Sequence, residues 1–159
     1  MSLAEQTSHE ADSATISASI RAILDRQKAA HIKEGPVSAE RRIDWMDRAI
    51  ALLVDNQKEI VEALASDFGH RSHEQTLLTD VMGSIGPLKH AKKHVRQWMK
   101  PEKRKVQFPL NLLGAKARIE YQPLGTVGII SPWNFPVNLT WTPLAGVFAA
   151  GDRAMIKPS

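Results

Sequence analysis

GTVGIISPWNFPVNLTWTPLAGVFAAGDRAMIKPS, from Gly125 to Ser159, is the stretch whose reading decides the fold. Gly125 to Ser131 is a short apolar run of the buried-strand type, and Pro132 and Pro136 bracket a tight loop after it. A helical run from Val137 to Ala150 follows, Gly151 stops it, and Ala154-Met155-Ile156 forms a second strand. Strand, loop, helix and strand in that order make a βαβ unit with parallel strands. In open α/β sheets ligands bind beyond the carboxyl ends of the strands. Ser131-Pro132-Trp133-Asn134 and Lys157-Pro158-Ser159 are therefore expected to converge at one edge.

Upstream the pattern is helical. Ile16, Ile20, Ile23 and Leu24 recur at helical spacing from Thr15 to about Glu34, and Gly35-Pro36 ends that segment. Ser38 caps a second helix to about Asp55, with Ile43, Met46, Ile50, Leu53 and Val54 in one apolar stripe. Asn56 opens a third helix carrying Ile60, Val61 and Leu64, and Gly69 stands where a left-handed C-cap is needed. Ser72 with Gln75 makes a capping box for a fourth, whose buried face is read as Leu77, Leu78, Val81, Met82 and Ile85. A bend or restart is expected near Gly86-Pro87, because the proline ring clashes with the carbonyl four residues earlier, and Pro101 ends the helix. Beyond it, Val106-Gln107-Phe108 and Ala117 to Tyr121 alternate apolar with polar, which predicts two strands of a hairpin or extended arm.

Composition narrows the classes. The 159 residues, 43% hydrophobic, suit one domain of ordinary size. A net charge of +4, from 21 basic and 17 acidic residues, is concentrated between Lys89 and Lys105. With only Trp98 interleaved there, that stretch reads as a solvated helix face and not as a nucleic-acid surface. The absence of cysteine excludes disulfides, thiolate metal sites and a cysteine nucleophile, and agrees with a reducing, cytoplasmic setting. Residues 1–14, MSLAEQTSHEADSA, have neither a basic start nor an apolar core and read as a flexible leader, not a secretory signal. The most apolar run, Val137 to Ala150, is shorter than the ~20 residues of a membrane span and is interrupted by Asn138, Thr140, Thr142 and Pro143, so no membrane association is expected. His90 and His94 share a helix face at i and i+4, but no third ligand is apparent and no metal site is expected.

PWNFP at Pro132–Pro136, followed by AAG at Ala149–Gly151 and KPS at Lys157–Ser159, resembles the NAD(P)-dependent aldehyde dehydrogenase superfamily. DFGHRSHEQ from Asp67, KHVRQWMKP from Lys93 and EYQPLGTVGI from Glu120 resemble its coniferyl aldehyde dehydrogenase branch, close to the class 3 type enzymes. The resemblance implies an α/β fold: a helical part of the cofactor domain over residues 15–100, a β arm over 101–123, and the βαβ start of a Rossmann-like nucleotide-binding sheet over 124–159, an incomplete aldehyde dehydrogenase fold. In the family reaction a cysteine thiolate adds to the aldehyde, hydride passes to the nicotinamide, and water releases a carboxylic acid. Asn134 matches the asparagine whose amide donates to the oxyanion, a contribution on the order of 10²–10³ in rate for one such donor. Ile130, Ser131, Pro132 and Trp133 match the segment lining the ribose and nicotinamide side of NAD or NADP. Lys157 matches the lysine that reaches the adenosine ribose hydroxyls or a 2′-phosphate, with Pro158 and Ser159 beside it.

Each residue also has a plainer reading: Asn134 bonding its own loop, Trp133 as a core aromatic, Lys157 as a solvated strand end. Some branches carry a lysine with a proton-relay role at the position of Thr142, and the threonine agrees with the class 3 type. The family's nucleophilic cysteine and water-activating glutamate are expected downstream of Ser159, so this chain alone is expected to be inactive, and the complete enzyme to be a homo-oligomer acting on a small aldehyde. A competing expectation is a truncated, non-catalytic product that binds nucleotide or associates with intact subunits.

Overall fold

The computed structural model describes the backbone of residues 3–159 and side chains from residue 13 onward. Two compact units divide at Gly35 and Pro36. The first is one long helix, α1 (Leu3–Glu34), closed by Gly35 at φ 67°. The helix predicted from Thr15 therefore starts at Leu3, and the flexible leader expected before it is helical from that point on. Ile16, Ile20 and Ile23 lie exposed along it.

The second unit carries every other element. Helices α2 (Ala39–Asp55) and α3 (Gln57–Phe68) are followed by a single turn, α4 (His73–Thr76), a π-helical segment (Leu77–Met82) and α5 (Gly83–Trp98). The Ser38 hydroxyl caps α2 by accepting from Arg41 N, and Ser72 caps α4 by accepting from Gln75 N. Gly69 ends α3 in the left-handed conformation at φ 70°. Asn56 makes no side-chain cap for α3; its amide instead donates to Leu52 O at 2.7 Å, closing the end of α2.

The core is built where α2, α5 and α6 (Asn138–Ala150) meet. Met46 and Leu53 of α2 and Leu88 and Val95 of α5 are fully buried, each large side chain contributing about 1.5–3 kcal/mol. They pack on Ala145 and Ala149, whose small side chains let α6 approach closely.

One expectation for the fourth helix fails in part. Val81 is buried and Ile85 partly so, but Leu77, Leu78 and Met82 are exposed, and Thr76, Asp80 and Ser84 are wholly buried in their place. The π turn explains the shift: one extra residue per turn rotates the apolar stripe outward and brings a polar set inward. Near the bend or restart expected at Gly86-Pro87, a new helix, α5, begins at Gly83 directly after the π-helical segment, and Pro87 lies in its second turn.

One predicted strand of the arm is present in its first three residues, but its partner is not the predicted one. β1 (Glu102–Arg104) lies antiparallel to β2 (Ala117–Ile119), with Lys103 opposite Arg118. Val106-Gln107-Phe108 is not a strand, because the chain there enters the turns that carry Asn111 to Gly114. The predicted parallel pair is present: β3 (Thr126–Ile130) lies beside β4 (Arg153–Lys157), in register from Thr126 opposite Arg153 to Ile130 opposite Lys157. Ile129 of β3 packs on Leu144 and Val147, fixing α6 against one face of the sheet. Among the described residues no helix is long and apolar enough to cross a membrane.

Candidate functional site: the loop after strand β3

β3 and β4 end side by side. Ser131 N donates to Lys157 O at 3.0 Å, extending the ladder one step past Ile130 and bringing Ser131-Pro132-Trp133-Asn134 and Lys157-Pro158-Ser159 to one edge. Ile130, Pro132, Trp133, Asn134, Lys157, Pro158 and Ser159 are all exposed; Ser131 is buried. Trp133, 75% exposed, is not a core aromatic. The described hydrogen bond at Asn134 is accepted by its backbone carbonyl oxygen.

The loop can do little to hold itself, because Pro132 and Pro136 have no N–H to donate. Its order comes from its neighbours. Thr140 Oγ1 donates to Pro136 O at 2.6 Å, and with that hydrogen spent the Ser131 hydroxyl becomes the donor to Thr140 Oγ1. Arg71 reaches across from the turn after α3, its Nη1 donating to Asn134 O at 2.9 Å and its Nη2 to Asp80 Oδ2 at 2.8 Å. Phe68 and Phe135 flank the guanidinium, each ring centroid 4.8 Å from Cζ.

Asp80 turns its second oxygen to α6. Oδ1 accepts from Val137 N and Asn138 N, both at 3.1 Å, so a buried carboxylate satisfies two orphan amides where the helix dipole is positive. Leu139 N and Thr140 N donate to Phe135 O and Val137 O. All four amides from Val137 to Thr140 are thereby occupied, so the start of α6 is not an anion-binding terminus. The Asn138 amide donates to Thr79 O, and its Oδ1 accepts from Thr142 Oγ1 at 2.9 Å. A Cβ at Gly83 would collide with that Asn138 amide, so the glycine permits the close approach. Thr142 thus bonds Asn138 within its own helix.

The other end of α6 is held by the opposite charge. Arg42 of α2 is buried, with Nε donating to Val37 O at 3.0 Å and Nη1 to Ala149 O at 2.8 Å. Burial lowers its proton affinity below the usual arginine value, and nearby Asp152 opposes that shift. Asp152 Oδ1 accepts from Gly125 N at 2.6 Å, tying the entry of β3 to the end of α6. The helix between the two strands is therefore bracketed by Asp80 at its positive end and Arg42 at its negative end.

None of Arg71, Asp80, Thr140 or Arg42 was singled out from the sequence. Arg71 did lie in the DFGHRSHEQ stretch, and Asp80 interrupts an apolar run, the one local sign that it has a buried partner. His90 and His94 stack on each other and on Trp98, and among the described residues no group of three or more metal-ligating side chains converges.

The donor set at the strand edge fits a dinucleotide: an exposed lysine, Lys157, for ribose hydroxyls or a phosphate, exposed residues at Ile130, Pro132 and Trp133 around the buried Ser131, and one amide at Asn134. A profile described as the Aldehyde dehydrogenase family matches residues 4–159. A probable coniferyl aldehyde dehydrogenase of Caulobacter vibrioides is 65% identical over 138 residues, covering 86% of this chain and 28% of that protein. A coniferyl aldehyde dehydrogenase of a Pseudomonas strain is 56% identical over 136 residues, with 86% and 27% covered. An NAD-dependent benzaldehyde dehydrogenase from Corynebacterium glutamicum superposes with a TM-score of 0.75 at 27% identity, covering 89% of this chain and 29% of that one. The chain thus spans little more than a quarter of the length of the curated relatives it matches.

Proposed function

The chain belongs to the aldehyde dehydrogenase family, and from that premise we propose that it forms part of an enzyme oxidising an aromatic enal such as coniferyl aldehyde to its carboxylic acid, with NAD or NADP as acceptor. The observation that carries the reading is the convergence of the Asn134 loop and Lys157 at the carboxyl edge of one parallel pair. The substrate class rests on the two coniferyl relatives. Residues 124–159 supply the first strands of the nucleotide-binding sheet, and α2 and α5 pack on the helix between those strands.

NAD(P) supplies the hydride acceptor when bound. Lys157, with Pro158 and Ser159, would hold the adenosine ribose, and Ile130 to Trp133 would line the ribose and nicotinamide side. The Asn134 amide donates to the oxygen of the reacting carbonyl as negative charge grows there. Asn134 is exposed, and anchoring of its backbone carbonyl by Arg71 favours little reorganisation as charge develops. The 159 residues by themselves oxidise no aldehyde, because they contain no cysteine to supply the thiolate. The test is NAD(P)H formation from coniferyl aldehyde by a polypeptide carrying this sequence together with the family's cysteine. Turnover there, and none by the 159 residues, is expected; failure of every aromatic aldehyde, or oxidation by the short chain, would overturn the reading.

A further inference from the structure

We propose that Arg71 and Asp80 are positioning residues for the Asn134 amide, an inference that rests on the function proposed above. Arg71 grips the residue whose side chain must be placed, at its own carbonyl, 2.9 Å away. Asp80 fixes the guanidinium through Oδ2 and, through Oδ1, the first two amides of the helix into which the loop runs. Asn134 therefore lies between two points held by one carboxylate. Both members are buried, with the Asp80 side chain fully inaccessible and that of Arg71 6% exposed, so water does not compete for these bonds. The two phenylalanine rings set the plane of the guanidinium and with it the direction of Nη1.

The other bonds to the loop act at Ser131, Phe135 and Pro136, on either side of Asn134, and the two prolines donate nothing. A misplacement of about 1 Å at a reacting group costs on the order of 10²-fold in rate. Losing the Arg71 contact should therefore lower kcat by about 10- to 100-fold through Asn134, while the KM for the aldehyde moves much less.

The test is a double-mutant cycle between Arg71→Met and Asn134→Ala in the full-length dehydrogenase that carries this sequence. If Arg71 acts through Asn134, Arg71→Met lowers kcat strongly in the parent and less than about threefold once Asn134 is alanine. Arg71→Lys, which keeps the charge and loses the fork, should fall between. Equal losses in both backgrounds would show Arg71 to be merely structural and overturn the proposal while leaving the function intact. An Asn134→Ala enzyme with normal kcat would instead remove the oxyanion role, and the proposal with it. Should Arg71→Met not fold, Arg71→Lys and Asp80→Asn complete the same cycle, and failure of all three to fold would also count against a positioning role.

Discussion

Replacing Arg42 by methionine should loosen the far end of α6 and the strand that follows it. The side chain donates two hydrogen bonds from a charged group, to Val37 O and Ala149 O, each contributing about 1.5–3 kcal/mol when its acceptor cannot turn to water. It also places a cation at the helix C-terminus, for about 0.5–1 kcal/mol, and faces buried Asp152. Against this stands the cost of burying the guanidinium, which the substitution relieves, and methionine refills part of the volume. The balance is a loss of about 3 kcal/mol, at the lower end of what breaking a buried charge pair costs. Native-state hydrogen exchange read by mass spectrometry isolates it: amides in the last turn of α6 and in β4 should exchange about 100-fold faster, with α3 unaffected. Arg42→Lys should give an intermediate rate. Exchange in α6 and β4 within a factor of about three of the parent would refute the reasoning, since it would mean the bonds to Val37 and Ala149 contribute almost nothing net.

Gly151→Ala should destabilise the same corner by about 2 kcal/mol or more, because φ is +80° and the new Cβ would stand 2.8 Å from Arg42 Cζ, forcing apart a guanidinium already bonded to two carbonyls. Denaturation of parent and variant side by side measures the difference, and a change below about 0.5 kcal/mol would contradict it. Tyr121 is the single tyrosine, so phenolate absorbance reads it directly; its hydroxyl donates to Glu102 Oε1 at 2.7 Å, and that bond holds its pKa above the ordinary phenol value. The interaction favours the protonated form, so what it contributes is present below the unfolded pKa and is lost as pH rises through the raised one, and Glu102→Gln should bring the midpoint down. A midpoint unmoved by that substitution would assign the shift elsewhere. Lys157→Met should raise the KM for the dinucleotide by about 10-fold or more with kcat little changed, as the loss of one charged hydrogen bond requires; an unchanged KM would remove Lys157 from the cofactor site.

The strand, loop, helix and strand from Gly125 to Ser159 were legible because each boundary has a local cause. Pro132 and Pro136 punctuate the loop, Gly151 takes the positive φ that ends α6, and the apolar runs on either side form the strands, although only Ile129 among the residues of β3 and β4 is buried. Gly69 was legible for the same reason. What the sequence concealed is non-local. Arg71 and Asp80 meet residues 57 to 63 positions away, and Arg42 meets Ala149 across 107. Periodicity treats such charged residues as surface, so the buried face of the fourth helix is read as Leu77, Leu78, Val81, Met82 and Ile85, of which Val81 is buried and Leu77, Leu78 and Met82 give way to a carboxylate, a threonine and a serine. A π turn leaves no compositional mark, and without it the stripe is drawn one residue out of phase. In the arm, alternation at Val106 to Phe108 looked like a strand, yet the partners of Ala117 to Ile119 are the charged residues Glu102 to Arg104, whose pairing depends on the antiparallel register and not on side-chain pattern. The residues of the strand edge were thus visible, and the support that orders them was not.

The central claim is that the loop after β3 presents Asn134 to a developing oxyanion. Its most direct test is the turnover of Asn134→Ala in the full-length enzyme, measured with dinucleotide saturating. The account predicts a fall in kcat on the order of 10²–10³ with dinucleotide affinity nearly unchanged; a kcat within a few-fold of the parent would contradict it.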